Sequence, residues 1–119
     1  MNDGTLASVS EAAPGGYREI DVQPALAHLA AFRCVDVREP DEYVGPLGHI
    51  QGAELVPLGT VLSEAGRWER DKPLLLICRS GARSGRAAGA LRGLGFSQVF
   101  NLTGGMLAWD AAGYPRAER

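Results

Sequence analysis

Residues 72 to 78 read KPLLLIC, and the five apolar side chains that close this run leave neither face of an extended chain for water. A strand of that kind is stable only between two covering layers, as in a parallel sheet flanked by helices. The run is followed at once by RSGARSGRAAGALRGLGF, in which the segment from Ser84 to about Leu94 predicts a helix. A buried strand, a short glycine-containing loop and a helix therefore stand in direct succession. In α/β sheets, ligands bind beyond the carboxyl ends of such strands.

The remainder of the chain has the same rhythm. YREI reads as a brief strand, and Asp21 can cap a helix through VQPALAHLAAF, where Pro24 suits the first turn. RCVDVRE is a Val-rich strand, and Pro40 opens a short helical turn, PDEYV, with acidic residues near its start. GPLGHIQGA is a loop, ELVPL a short strand, and GTVLSEAGRWER a helix with Thr60 as its cap. SQVFNL is the last strand and GMLAWDAAG the closing helix. Alternating strands and helices predict an α/β fold with a mostly parallel, five-stranded central sheet. Residues 1 to 16 show no hydrophobic period and are read as a flexible N-terminal tail; residues 17 to 119 are read as a single domain.

At 119 residues the chain has room for one core. A formal net charge of −2 argues against a protein that neutralises many phosphates along a nucleic acid, while local positive charge for a small anion remains open. The N-terminus MNDGTLASVSEAAPGG lacks the basic and apolar regions of a secretory signal, and no apolar run approaches a membrane span, so a cytoplasmic protein with no membrane partner is expected. Cys34 and Cys78 are too few for a disulfide scaffold, and His28 and His49 stand apart from both, so no metal site is expected.

Cys78 sits where the buried strand meets the next helix. Backbone amides of a tight loop, the positive end of the helix, and the charges of Arg79 and Arg83 would all lower a thiol pKa there and hold an anion. The alternative is a small apolar side chain packed at a strand end.

Four motifs in order now resemble one family. DVREPDEY at 36 to 43, GHIQGA at 48 to 53, CRSGARS at 78 to 84 and GGMLAW at 104 to 109 resemble the signatures of the rhodanese family, sulfurtransferases that carry sulfane sulfur as a cysteine persulfide. The resemblance covers roughly residues 17 to 115. It implies a three-layer fold, Cys78 as the nucleophile, and substrate contacts from Arg79, Ser80, Gly81, Ala82, Arg83 and Ser84. It also implies an anionic sulfur donor such as thiosulfate, an acceptor that is cyanide or a thiol, including a protein thiol, and no cofactor. The C-x4-R spacing from Cys78 to Arg83 resembles the sulfurtransferase loop; related phosphatases and arsenate reductases use C-x5-R, and Ser84 stands at that longer spacing. Two alternatives stay open: a relay or docking module that passes persulfide sulfur to a partner protein, and a phosphatase or arsenate reductase of the same fold.

Asp36 and Arg38 fall at the end of their strand on the edge that carries the cysteine loop. Asp36 is read first as half of a structural ion pair, with proton donation to a leaving group as the alternative. Glu42 is read as a partner for an arginine, and the resemblance places His49 in a loop that braces the fold. Cys34 is read as a buried, inert thiol rather than a resolving one, and Gly104 and Gly105 as the makers of a loop beside the pocket. In the helix after the loop, Ala87, Ala88, Leu91 and Leu94 form the expected core face. Gly85, Gly89 and Gly93 recur on the roughly opposite face, each costing about 0.5–1 kcal/mol relative to alanine. Either a partner or symmetry mate packs closely there, or the glycines reflect a local bias in composition, the simpler reading.

Overall fold

The computed structural model of the protein describes residues 3–117. The LLLI run forms β5 (Leu74–Ile77), every residue of which is buried. β5 lies inside a sheet with β1 (Glu11–Ala12), β2 (Arg18–Ile20), β3 (Arg33–Asp36), β4 (Glu54–Leu55) and β6 (Val99–Leu102). The order is β1-β2-β6-β5-β3-β4, and all neighbours are parallel except β1 against β2.

Side chains alternate across β5, so its residues feed two cores. Leu74, Leu76 and Cys78 face Val61 of α4 (Val61–Glu64) and Ala87, Ala88 and Leu91 of α5 (Ala82–Gly93). Leu75 and Ile77 face the other side, with Ala25 of α2 (Val22–Ala27) and Met106 and Trp109 of α6 (Gly105–Ala111). Full burial of each such leucine or isoleucine contributes about 1.5–3 kcal/mol, which makes β5 the axis of the fold. The α/β, three-layer architecture with a mostly parallel sheet is as expected.

Several local expectations change. The sheet has six strands rather than five, because the segment read as a flexible N-terminal tail contributes β1. α1 (Asp3–Ser8) buries Leu6, and β1 pairs with β2. Arg18 ties the segment down, donating from Nε to Ser10 Oγ at 2.7 Å and from Nη2 to the Ala7 and Ser10 carbonyls at 3.1 and 2.8 Å. Backbone pairing and a single buried leucine leave no hydrophobic period in sequence. Residues 1 and 2 lie outside the described residues.

Asp21 and Thr60 stand at N-cap positions but make no side-chain cap; Thr60 Oγ1 donates instead to the Pro57 carbonyl. The long helix expected after Asp21 ends at Ala27 and continues as a 3-10 turn from Leu29 to Ala31. Leu94 is 45 % exposed, one residue past the end of α5. The glycine face of α5 is partly filled by this chain itself. A Cβ on Gly85 would lie 3.3 Å from Tyr17 Oη, and one on Gly89 3.8 Å from Tyr17 Cε1, whereas Gly93 faces open space. No helix among the described residues is long and apolar enough to cross a membrane.

Candidate functional site

The site grows out of the end of β5. Cys78 follows Ile77 directly and is 1 % exposed. Gly81 takes a φ of 103°, a left-handed conformation open to glycine, and its carbonyl receives the Gly85 amide at 3.0 Å as α5 begins. α5 thus starts at Ala82, two residues earlier than the sequence predicts.

α6 closes the loop from behind. Met106 N–H donates to the Cys78 carbonyl at 2.9 Å and Leu107 N–H to the Arg79 carbonyl at 3.0 Å. A Cβ on Gly105 would run into the Cys78 carbonyl oxygen and lie 2.6 Å from the Arg79 carbonyl oxygen, so the approach requires glycine. Gly104 and Gly105 therefore fasten the cysteine loop to α6.

With its carbonyl fastened, Cys78 turns its sulfur toward three donors. Gly81 N–H approaches Sγ at 3.1 Å, Ser84 N–H at 3.4 Å and Ser84 Oγ at 3.2 Å. Burial pushes the thiol pKa up, but the Ser84 hydroxyl and the amides of Ser84, Gly81 and Ser80 together outweigh it, and the thiol is held below its ordinary value. The loop amides act as the sequence suggested, and the Ser84 hydroxyl joins them.

The arginines divide into tied and untied. Arg83 donates from Nη1 and Nη2 to the two Glu42 carboxylate oxygens, each at 2.8 Å, a bidentate pair. The Arg83 hydrogen bonds hold the Glu42 carboxyl down at about 2, and Glu42 in turn raises the Arg83 pKa. Glu42 also belongs to a capping box with Glu39 at the start of α3 (Pro40–Tyr43), which fixes the carboxylate from its own side. Arg38, 1 % exposed, donates from Nε and Nη2 to Asp36 at 2.8 and 2.7 Å, and reaches the carbonyls of Gly48 at 2.7 Å and Glu42 at 3.2 Å. Asp36, fully buried, accepts three hydrogen bonds from Arg38 and so holds the guanidinium that braces the loops round the site. The Arg79 side chain is exposed and has no hydrogen-bond or ion-pair partner among the described residues. It lines an open cavity of about 270 Å³ with Arg38, Glu42, Pro46 and Leu47. Ser80 and Ala82 are exposed on the outer side of the loop.

His49 packs against α3: Nδ1 lies 2.9 Å from the Tyr43 carbonyl, and the ring stacks on Tyr43 at 3.6 Å between centroids. Cys34 lies in the core on the opposite face of the sheet from Cys78, and burial pushes its thiol up to about 11. Among the described residues, no group of three or more His, Cys, Asp or Glu is placed to hold a metal.

Asn101 and Glu19 escaped the reading of the sequence. Asn101, 3 % exposed, meets the Ser84 hydroxyl through Oδ1 and donates from Nδ2 to Gly81 O at 3.0 Å and to both Glu19 carboxylate oxygens. The available signal was a lone amide between Phe100 and Leu102, inside a strand otherwise fit for burial.

Comparison with known proteins gives a consistent set. A family model described as the rhodanese-like domain matches residues 21–112. The chain is 36 % identical over 100 residues to a sulfurtransferase of Allochromatium vinosum, covering 82 % of this chain and 92 % of that one. It is 44 % identical over 77 residues to the uncharacterized protein YqhL of Bacillus subtilis, covering 65 % of this chain and 60 % of that one, so it spans only part of that relative's length. Among solved structures, a rhodanese-related protein of Thermoplasma volcanium superposes with a TM-score of 0.75 at 33 % identity, covering 83 % of this chain and 96 % of that one.

Proposed function

The chain belongs to the family of rhodanese-like domains, and on that premise we propose that it is a sulfurtransferase whose Cys78 carries the transferred sulfur as a persulfide. The observation that carries the reading is the Cys78 sulfur itself. It is buried, held below the ordinary thiol pKa and met by Gly81 N–H, Ser84 N–H and Ser84 Oγ, and the exposed Arg79 follows it in the chain.

An anionic donor such as thiosulfate is drawn to Arg79 over the open cavity. Arg83, its charge compensated and its direction set by Glu42, shapes the far side of the loop. The Cys78 thiolate attacks the outer sulfur of thiosulfate; the new S–S bond forms as the old one breaks, and sulfite leaves with the bonding pair. The persulfide keeps one negative charge on its terminal sulfur, facing the loop amides. A thiolate or cyanide acceptor then takes that sulfur and returns Cys78 as thiolate. No proton moves in either half, so no general base is needed. Asp36, sealed in its ion pair with Arg38, takes no part in proton transfer.

The test is intact mass after incubating reduced protein with thiosulfate. The wild type is expected to gain about 32 Da, one sulfur, which cyanide removes, and Cys78→Ser to gain nothing. A gain that survives in Cys78→Ser would refute the assignment. No gain in the wild type with thiosulfate, polysulfide or a persulfide donor would refute sulfur transfer.

A further inference from the structure

Ser84 offers one hydroxyl hydrogen to two acceptors. Its Oγ lies 3.2 Å from Cys78 Sγ and in a short hydrogen bond with Asn101 Oδ1. The Asn101 amide cannot turn over to relieve this competition. Its Nδ2 faces the Glu19 carboxylate oxygens at 3.2 and 3.0 Å and the Gly81 carbonyl at 3.0 Å, groups that only accept. Oδ1 is therefore the atom turned to Ser84. Thr103 Oγ1, donating to Glu19 Oε1 at 2.8 Å, holds the carboxylate from its other side.

We propose that Asn101 is a positioning residue that acts on Cys78 through Ser84, so that the Ser84 hydroxyl hydrogen turns to Sγ when that sulfur is charged and to the Asn101 amide oxygen when it is not. The role in catalysis rests on the sulfur-transfer reading above. In the neutral thiol, Cys78 S–H points to Ser84 Oγ and the hydroxyl donates onward to Asn101. In the thiolate, the hydroxyl rotates to the charged sulfur, where its hydrogen bond is stronger, and Asn101 Oδ1 loses its donor. In the persulfide, the charge has moved to the terminal sulfur, Sγ is a weak acceptor, and the hydroxyl returns to Asn101. Asn101 is buried at 3 % exposure, so its unmet oxygen costs free energy in the thiolate state. The device thus favours the two states in which Sγ is uncharged, the protonated thiol and the loaded persulfide, and keeps the thiolate reactive rather than over-stabilised.

The charged groups round this sulfur are Arg83 with Glu42, Arg38 with Asp36, the exposed Arg79, and Glu19 behind Asn101. None of them hydrogen-bonds Sγ among the described residues. The Arg83–Glu42 pair stays ionised across the range in which a thiol titrates.

The experiment follows the pH dependence of Cys78 alkylation by iodoacetamide in the full chain with Cys34 replaced by Ala throughout. Asn101→Leu is expected to lower the apparent thiol pKa by about half a unit to one unit, the worth of one hydrogen bond no longer contested. In a Ser84→Ala background the same substitution is expected to move nothing. A rise, no change, or an equal shift in both backgrounds would overturn the proposal. Asn101→Ala removes the same acceptor without adding bulk and serves if the leucine variant does not fold. Alkylation needs no sulfur donor, so the two readings fail separately. An intact coupling with no mass gain refutes sulfur transfer, and a mass gain with no coupling refutes the role of Asn101.

Discussion

Cys78 takes its character from donors that its own loop supplies. Ser84 contributes both a hydroxyl and an amide to Sγ, so Ser84→Ala is expected to raise the Cys78 pKa by about one to two units, as for loss of a hydrogen bond to a charged group. The pH profile of iodoacetamide alkylation reads this shift directly. Arg79→Ala, at an exposed position, is expected to leave that profile nearly in place while weakening capture of anionic donors, measured as a higher thiosulfate concentration for half-maximal persulfide formation. The cysteine and the loop around it were legible in sequence because they are contiguous. Asn101 was not, since its importance lies in Gly81, Ser84 and Glu19, which converge only when β2, α5 and β6 are assembled.

Elements were read best where a period reports burial. β5 and β6 appear as short apolar runs and α5 as a helical face, and each was found within a few residues. The same logic missed β1, whose two residues are exposed and whose place is decided by backbone pairing at the sheet edge. The junction of α6 with the cysteine loop gives a direct test at this scale. Gly105→Ala combines a positive φ of 57° with a collision against the Cys78 and Arg79 carbonyls. It is expected to destabilise the protein by about 1–3 kcal/mol, as overpacking does, and to reduce persulfide formation in the fraction that folds. Urea denaturation and intact mass check the two parts. Cys34→Ala, in the opposite core, is expected to cost about 1 kcal/mol or less and leave persulfide formation intact.

Two ties between elements bear on the stability of the whole molecule. The Arg83–Glu42 pair links α5 to α3, and its effect on stability depends on pH. The Glu42 carboxyl titrates at about 2 in the folded state against an ordinary 4.5. Its contribution is therefore fully present above about 4.5 and is lost as pH falls toward 2. Glu42→Gln is expected to be less stable than wild type at pH 6 and to lose less on acidification through that window, as followed by urea midpoints. The second tie is Arg18, which holds α1 and β1 against the sheet. We propose that residues 17–119 fold as one unit that this N-terminal segment reinforces. Arg18→Ala is then expected to speed amide exchange over Leu6 to Ala12 and leave exchange in β5 unchanged; equal acceleration in β5 would show that the segment is integral to the unit.

Neighbouring residues in the sequence were enough to determine the alternation of strands and helices, the buried β5, and a cysteine loop at its carboxyl end, because burial periods and turn residues act over a few positions of chain. The tertiary structure alone decided which arginine side chain is compensated and which has no side-chain partner among the described residues. Glu42 reaches Arg83 across 41 positions and Glu19 reaches Asn101 across 82. Pairings at such separations depend on how the sheet orders its strands and on which side chains arrive within about 3 Å of one another, the range at which hydrogen bonds act. Local pattern carries no record of that distance.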